Sequence, residues 1–281
     1  EFKGPDARKF LDHIMAGRLP KPGRISLSPM LSYRGKLCGD LTVACLDENE
    51  FMVFGSGAAQ EMHRRWFESH IDKFNLSYSN RSDEYHGLSI AGPNSRKVLE
   101  KIVRDDVSNE KFKFRDSRRM FVGGVPAIIN RISFTGELGY EIYVAPHYQL
   151  KLYEELMEAG KEFNIKPFGG RALMSMRLEK NWGAWTLDYR PDFTAKETGL
   201  DAFINWDKEF IGKESAQKEN SSNKLVPLIV ETNEIDVTNN EAVLNGDQSI
   251  GYVTSGGFAH FVNKSVAFTF VDQKNIKSEN K

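Results

Sequence analysis

Beyond Phe210-Ile-Gly-Lys213 the sequence stops alternating between helical and extended patterns. Upstream, apolar residues recur at helical spacing in some stretches and as short strand-like runs in others. Downstream, past a polar run from Ala216 to Lys224 that reads as a linker, only short strand patterns follow, near Leu225–Val230, Ile250–Val253 and Val266–Val271. A chain written this way predicts an α+β domain over residues 1–215 and a small all-β domain over 225–281. Its 281 residues are enough for two such units. Val266–Val271 reads as a strand awaiting a partner. The chain opens on Glu-Phe-Lys with neither an initiator Met nor a signal-peptide pattern. Both ends are therefore expected to be cut from a longer protein, leaving the second domain incomplete.

Within the first part, Phe10, Leu11 and Ile14 predict a helix that Pro20, Pro22 and Gly23 end. Leu41–Leu46 and Phe51–Phe54 predict a hairpin around Asp47–Glu50. Met62, Trp66 and His70 are four apart and predict one face of a helix over 57–71. Gly87–Ala91 reads as a strand running into a helix opened by Gly92-Pro-Asn-Ser95. Three strands are expected between Met120 and Val144, then helices over 148–163 and 170–180.

The charge count, 38 Lys and Arg against 39 Asp and Glu, argues against a nucleic-acid binder. No apolar run is long enough for a spanning helix, so no membrane role is expected. Cys38 and Cys45, the only cysteines, lie seven apart in one expected strand, so their side chains should take opposite faces and no disulfide is expected. A reducing compartment follows, cytoplasmic or alternatively the mitochondrial matrix. The six histidines show no ligand spacing, and no metal site is expected.

Gly55-Ser-Gly57-Ala-Ala-Gln60 half-matches the dinucleotide fingerprint, but the third glycine and the following acidic residue are missing. It reads as a tight strand-to-helix turn, so no flavin site is expected here. The carboxylates are more informative. Asp40 stands at the mouth of a strand with no cationic partner in sequence; it is either a turn former, which pattern alone favours, or a positioned proton acceptor. In Phe134-Thr-Gly-Glu-Leu-Gly-Tyr-Glu141, a strand over 140–144 puts Tyr140 and Glu141 on opposite faces. One of them must point inward, and a buried carboxylate demands hydrogen-bond donors. Arg171 follows Phe168-Gly-Gly170, where glycines allow close backbone approach. Arg177 and Glu179 read as structural.

Several strings resemble the glycine-cleavage T-protein (aminomethyltransferase) family: Gly35-Lys-Leu-Cys-Gly-Asp-Leu-Thr-Val43, Ile90-Ala-Gly-Pro-Asn-Ser95, Ser133–Glu141, Gly170–Glu179, Asp207–Lys213 and Gly251-Tyr-Val-Thr-Ser-Gly-Gly257, in family order. Phe51–Ala58, Glu179–Trp185 and Asp188-Tyr-Arg-Pro191 are similar to the folate-binding C-terminal half of dimethylglycine and sarcosine dehydrogenases. The resemblance implies an aminomethyltransferase-like folate-binding fold followed by a β-barrel domain. It implies tetrahydrofolate as cofactor, with FAD confined to an absent N-terminal half, and an upstream flavin domain or subunit as partner. Asp40 then matches the catalytic aspartate, and Glu141 and Arg171 the folate-binding pair. Phe134 stands at a pterin-side position where T-proteins often carry Tyr, and Gly39 replaces the first residue of their Asp-Asp pair. The implied activity is one-carbon transfer to tetrahydrofolate from the oxidation product of an N-methyl amine. The alternatives are a free-standing aminomethyltransferase of the glycine cleavage system and a folate-binding module without catalysis.

Overall fold

The structure, a computed structural model, describes residues 1–232 and 235–276. Parts of the expected 225–281 domain, residues 233–234 and 277–281, lie outside the described residues.

The first sheet is built from β1 (Phe2–Lys3), β2 (Arg24–Leu31), β3 (Leu37–Asp47), β4 (Glu50–Phe54) and β5 (Ser77–Tyr78), in the order β2-β3-β4-β1-β5. Helix α1 (Ala7–Ile14) buries Ala7, Phe10, Leu11 and Ile14, the i, i+3, i+4, i+7 stripe of an amphipathic helix. Together with α2 (Gln60–Glu68) it covers the sheet face formed by Leu41, Val43 and Cys45. Phe2 stacks on Tyr78 and meets Phe67 edge-on inside this core. Strand β2 escapes sequence reading because Pro29 interrupts it. The proline is tolerated because β2 is an edge strand.

Strand β3 carries a bulge. Met30 pairs with Gly39 and Leu31 with Leu37, so Cys38 is the extra residue. The bulge breaks the alternation assumed for the two cysteines. Cys38 and Cys45 both touch the cluster under α1, where opposite faces were expected. Both are free thiols.

The second sheet comprises β6 (His86–Ala91), β7 (Ser117–Val122), β8 (Val125–Asn130) and β9 (Gly139–Val144), antiparallel in the order β6-β9-β8-β7. Helices α3 (Ser95–Ile102) and α4 (Gln149–Gly160) pack on one face, over Tyr140, Ile142 and Val144 of β9. Full burial of an aliphatic side chain such as Ile142 contributes about 1.5–3 kcal/mol, so this alternation pins the register of β9. The residues between, Glu141 and Tyr143, take the other face. That face meets the first sheet: Ile128 and Tyr143 pack with Ile25, Ala44, Met52 and Phe54.

Helices α5 (Gly170–Glu179), α6 (Ala195–Thr198) and α7 (Lys213–Gln217) lead to the third sheet. α6 is started by a Thr194/Glu197 capping box and stopped by Gly199 at φ +77°. The polar 216–224 run, expected as a linker, is pinned. Lys196 donates to the Glu219 carbonyl, and a Cβ on Gly35 would lie 2.7 Å from the Ala216 nitrogen.

Strands β10 (Asn223–Val230), β11 (Ala242–Asn245), β12 (Gln248–Ala259) and β13 (Lys264–Asp272) form the third sheet, in the order β10-β13-β12-β11. The strand expected to await a partner, β13, is paired on both sides, with β10 and β12. Among the described residues no helix is long and apolar enough to cross a membrane.

Candidate functional site

Asp40 lies inside β3, opposite Pro29, not in a turn. Past the Cys38 bulge, Asp40, Thr42 and Ala44 share the face that meets the second sheet, while Leu41, Val43 and Cys45 point to α1. The residue is half-buried, yet enough protein surrounds its carboxyl to push the pKa up to about 7. The cause is desolvation, opposed only by its own backbone N–H; no cation compensates.

His63 crowds the backbone beside Asp40, and Tyr189 lies within reach of its charge. His63 is 6% exposed and lies within hydrogen-bonding distance of the Cys38 carbonyl, Nε2 to O 2.9 Å. A Cβ on Gly39 would lie 2.8 Å from that Nε2, so His63 occupies the space a side chain at position 39 would need. Tyr189 is buried, its hydroxyl accepting the Gly183 N–H at 3.1 Å. Burial pushes its phenol well up, and the charge of Asp40 adds to the effect.

Glu141 leaves β9 on the side opposite the buried Tyr140. Tyr143 donates its O–H to Glu141 Oε2 at 2.8 Å. Burial pushes Glu141 upward, with the Tyr143 bond and the charge of Lys180 opposing. The Tyr143 phenol is held far above its ordinary range, so it stays a donor. The Tyr143 ring stacks on Phe54 with centroids 4.4 Å apart. Phe54 is the cross-strand neighbour of Thr42, which shares Asp40's face. A continuous path of side chains thus runs from Asp40's face of β3 to Glu141. A cleft of about 240 Å³ borders this aromatic seam, lined by Phe54, Gly55, His63, Tyr85 and Tyr143; Asp40 and Glu141 do not line it.

Phe134 is half-buried in the turn that leads into β9. Beside it, the Ser133 carbonyl accepts a hydrogen bond from Lys180 Nζ at 2.7 Å. Lys180 directly follows α5, so the C-terminal end of that helix stands at the turn that carries Phe134. Arg171 is at the other end, nine residues and roughly 13 Å away along the axis. It is exposed, with no hydrogen-bond partner among the described residues. The structure therefore places Phe134 beside one end of α5, sets Glu141 against Tyr143 on β9, and leaves Arg171 at the other end of α5.

Sequence reasoning missed the anchor of this region. Asp188 is fully buried and accepts from Arg177 Nη1, the Ala184 N–H at 2.8 Å, Thr254 Oγ1 and Ser255 Oγ at 2.7 Å. Two consecutive strand residues reach one carboxylate because β12 bulges between Val253 and Ser255. This cluster ties α5 and the segment carrying Trp185 and Tyr189 to the third sheet. Arg177 is structural, as expected, and so is Glu179, whose Oε1 accepts the Phe261 and Val262 N–H groups. The proximity of Arg177 and Asp188 to the Glu179–Trp185 string was the available signal; the partners on β12 left none. Among the described residues no group of three or more His, Cys, Asp or Glu could hold a metal.

Two family descriptions match: the GCVT N-terminal domain over residues 1–208 and the glycine cleavage T-protein C-terminal barrel domain over 223–281. The mitochondrial dimethylglycine dehydrogenase of Homo sapiens is 35% identical over 278 residues, covering 96% of this chain and 32% of the relative. The chain thus spans about a third of the length of that dehydrogenase. An aminomethyltransferase of Thermoanaerobacter pseudethanolicus is 30% identical, with 97% of this chain and 75% of the relative covered. The solved structure of glycine cleavage system aminomethyltransferase T from Bartonella henselae matches at a TM-score of 0.85 and 24% identity, covering 96% of this chain and 74% of that one. That likeness shows the fold: mixed helix and strand, with a small antiparallel sheet domain at the C-terminal end.

Proposed function

The chain belongs to the glycine-cleavage T-protein family, and from that premise we propose that it transfers a one-carbon unit to tetrahydrofolate. The unit comes from the methylene or iminium product of N-methyl amine oxidation, with dimethylglycine or sarcosine as the amine, and the product is 5,10-methylenetetrahydrofolate. The amine is oxidised by a flavin-bearing half or subunit upstream of this chain. The 35% identity to a dimethylglycine dehydrogenase supports this choice of donor.

One observation carries the reading. Asp40 is a carboxylate in a mid-strand position, desolvated and without a cation, with a pKa of about 7. A group that costs stability to ionise and sits near the working pH is suited to proton transfer. Tetrahydrofolate supplies nucleophilic ring and anilino nitrogens, which shed a proton on attacking an electron-poor methylene. The charge of Asp40 stabilises the cationic adduct, its carboxylate then accepts the proton, and the bond from the methylene to the donor nitrogen breaks to release the demethylated amine as the second folate nitrogen bonds to that carbon.

The donor set fits the pterin as well. Glu141, oriented by Tyr143, presents a carboxylate to the adjacent amino and ring N–H groups of a pterin edge. Phe134 offers an apolar face beside it. Arg171, exposed at the far end of α5, suits the carboxylates of the glutamate tail.

Asp40→Asn tests the assignment. Folate affinity should stay within about tenfold, while formation of 5,10-methylenetetrahydrofolate falls by the ~10²–10⁴-fold typical of losing an acid–base group. An unchanged transfer rate removes Asp40 from the mechanism.

A further inference from the structure

The glycine run Gly55-Ser-Gly57 that follows β4 has no part in the chemistry at Asp40 or Glu141. It forms one rim of the 240 Å³ cleft, and what it leaves clear is a nitrogen of His63. The Cys38 carbonyl, 2.9 Å from His63 Nε2, can only accept, so Nε2 carries the ring proton and Nδ1 is a bare acceptor. Burial lowers the His63 pKa and keeps the ring neutral. Nδ1 faces Gly55. A Cβ there would lie 3.1 Å from Nδ1 and 2.5 Å from Leu41 Cδ2, closing the ring off from the cleft, whereas a Cβ on Gly57 would meet nothing within 4 Å.

The same cleft is walled by Arg81, Phe54, Tyr85 and Tyr143. Arg81 pairs with Glu84 through Nη2 at 3.0 Å, while its buried Nε has no hydrogen-bond partner among the described residues. Of the other charged wall residues, Arg64 is taken up by Glu61 and Glu68, and Glu1 by Lys3. The cleft therefore offers a neutral acceptor, aromatic surface and a guanidinium with donors to spare.

We propose that this cleft binds the zwitterion of a small N-methylated amino acid. The ammonium N–H donates to His63 Nδ1, the N-methyl carbon rests on the aromatic rings, and the carboxylate meets Arg81. A simple carboxylate would leave the His63 lone pair facing an anion. A simple amine would leave Arg81 without a counter-charge. The volume suits a small molecule, being below the roughly 300–1,000 Å³ of clefts that take drug-sized ligands. Asp40 and Glu141 do not line the cleft, so the amine is held apart from the folate assigned to those carboxylates. The choice of an N-methyl amino acid rests on the proposed donor, since transfer of one carbon from dimethylglycine leaves such an amine behind.

The experiment titrates sarcosine into the full chain by ligand-observed NMR, then acetate, methylamine and glycine, for wild type, His63→Phe and Arg81→Met, each with a melting curve. Wild type should bind sarcosine with a Kd of about 0.1–10 mM, the range open to so small a ligand. Acetate and methylamine should bind about tenfold more weakly, and glycine about three- to fivefold more weakly for want of its methyl group. Each variant should weaken sarcosine binding about tenfold. Arg81 is only half-buried, so its variant decides the matter where His63→Phe does not fold. The proposal is overturned by the absence of saturable binding, by unchanged sarcosine affinity in a folded variant, or by equal binding of any of the three simpler ligands. Displacement of sarcosine by 5-formyltetrahydrofolate also overturns it, because the cleft would then belong to the folate. The two readings fail separately. If Asp40→Asn loses transfer and sarcosine does not bind, only the role of the cleft falls. If sarcosine binds with this profile and Asp40→Asn transfers normally, the assignment of Asp40 falls and the cleft stands.

Discussion

Tyr143 reaches Glu141 across 2.8 Å while its ring stacks on Phe54 of the neighbouring sheet, so one side chain both welds the two sheets and orients a carboxylate. Orientation matters because a carboxylate binds two parallel N–H groups only when both oxygens face them. The Tyr143 hydroxyl occupies part of one oxygen, Oε2, and fixes the plane of the group.

Glu141→Gln should therefore act on binding and not on folding. It replaces an acceptor oxygen with a donor that faces a pterin N–H. The loss should be about 2–4 kcal/mol, or roughly 30- to 1000-fold in affinity. Because Glu141 is half-buried and desolvation raises its pKa, the neutral amide should leave the melting temperature unchanged or slightly raised. Calorimetry and a melting curve on both proteins check this. Equal affinity would shift attention to Glu137, exposed in the same turn.

The stability of the chain should report Asp40's burial. Its carboxyl has a pKa of about 7 when folded and about 3.9 when unfolded. Below pH 4 both states are protonated and the group contributes nothing. Between pH 4 and 7 the unfolded state ionises first, so stability is lost as pH rises; above pH 7 the penalty is constant, of the order of 2–4 kcal/mol. Asp40→Asn should thus gain more stability at pH 8 than at pH 4.5 in urea unfolding. The same gain at both values would show that Asp40 is not ionised against a desolvation cost.

Gly39 should not tolerate a side chain while His63 is present. Gly39→Ala drives a Cβ to 2.8 Å from a buried ring nitrogen and should cost about 1–3 kcal/mol. In a double-mutant cycle, His63→Ala should relieve much of that cost. Additive losses would mean that the strain at position 39 arises elsewhere.

Arg177→Met leaves Asp188 charged and buried without its cation. The expected cost is about 3–5 kcal/mol in chemical denaturation. Asp188→Asn, which keeps acceptors for Thr254 and Ser255, should cost less than Asp188→Ala. A surface-like cost below about 0.5 kcal/mol for Arg177→Met would refute the anchoring role.

The elements most legible in sequence are those whose pattern is local. Tyr140, Ile142 and Val144 alternate with Glu141 and Tyr143, and β9 buries the first set and not the second. The hairpin of β3 and β4 and the stripe on α1 are of the same kind. Strand β2 was hidden because Pro29 reads as a breaker unless one knows that the strand lies at an edge. The turn reading of Asp40 failed for a related reason: Gly39 looks like turn chemistry, yet it is required by His63, which folds back from another element.

The sequence by itself therefore determined the α+β alternation, the inward face of each regular strand and, through its motifs, the carboxylates worth testing. Tertiary structure alone decided the rest. The Cys38 bulge placed both cysteines against one cluster, and the Thr254 bulge turned two adjacent hydroxyls onto Asp188. The geometry of α5 put Arg171 at one end and Lys180 at the other, on the Ser133 carbonyl. Periodicity and capping depend on residues within a turn or two of each other, so they can be read along the chain. Bulges, buried charge partners and desolvation depend on which distant segments meet, and only the packed molecule contains that information.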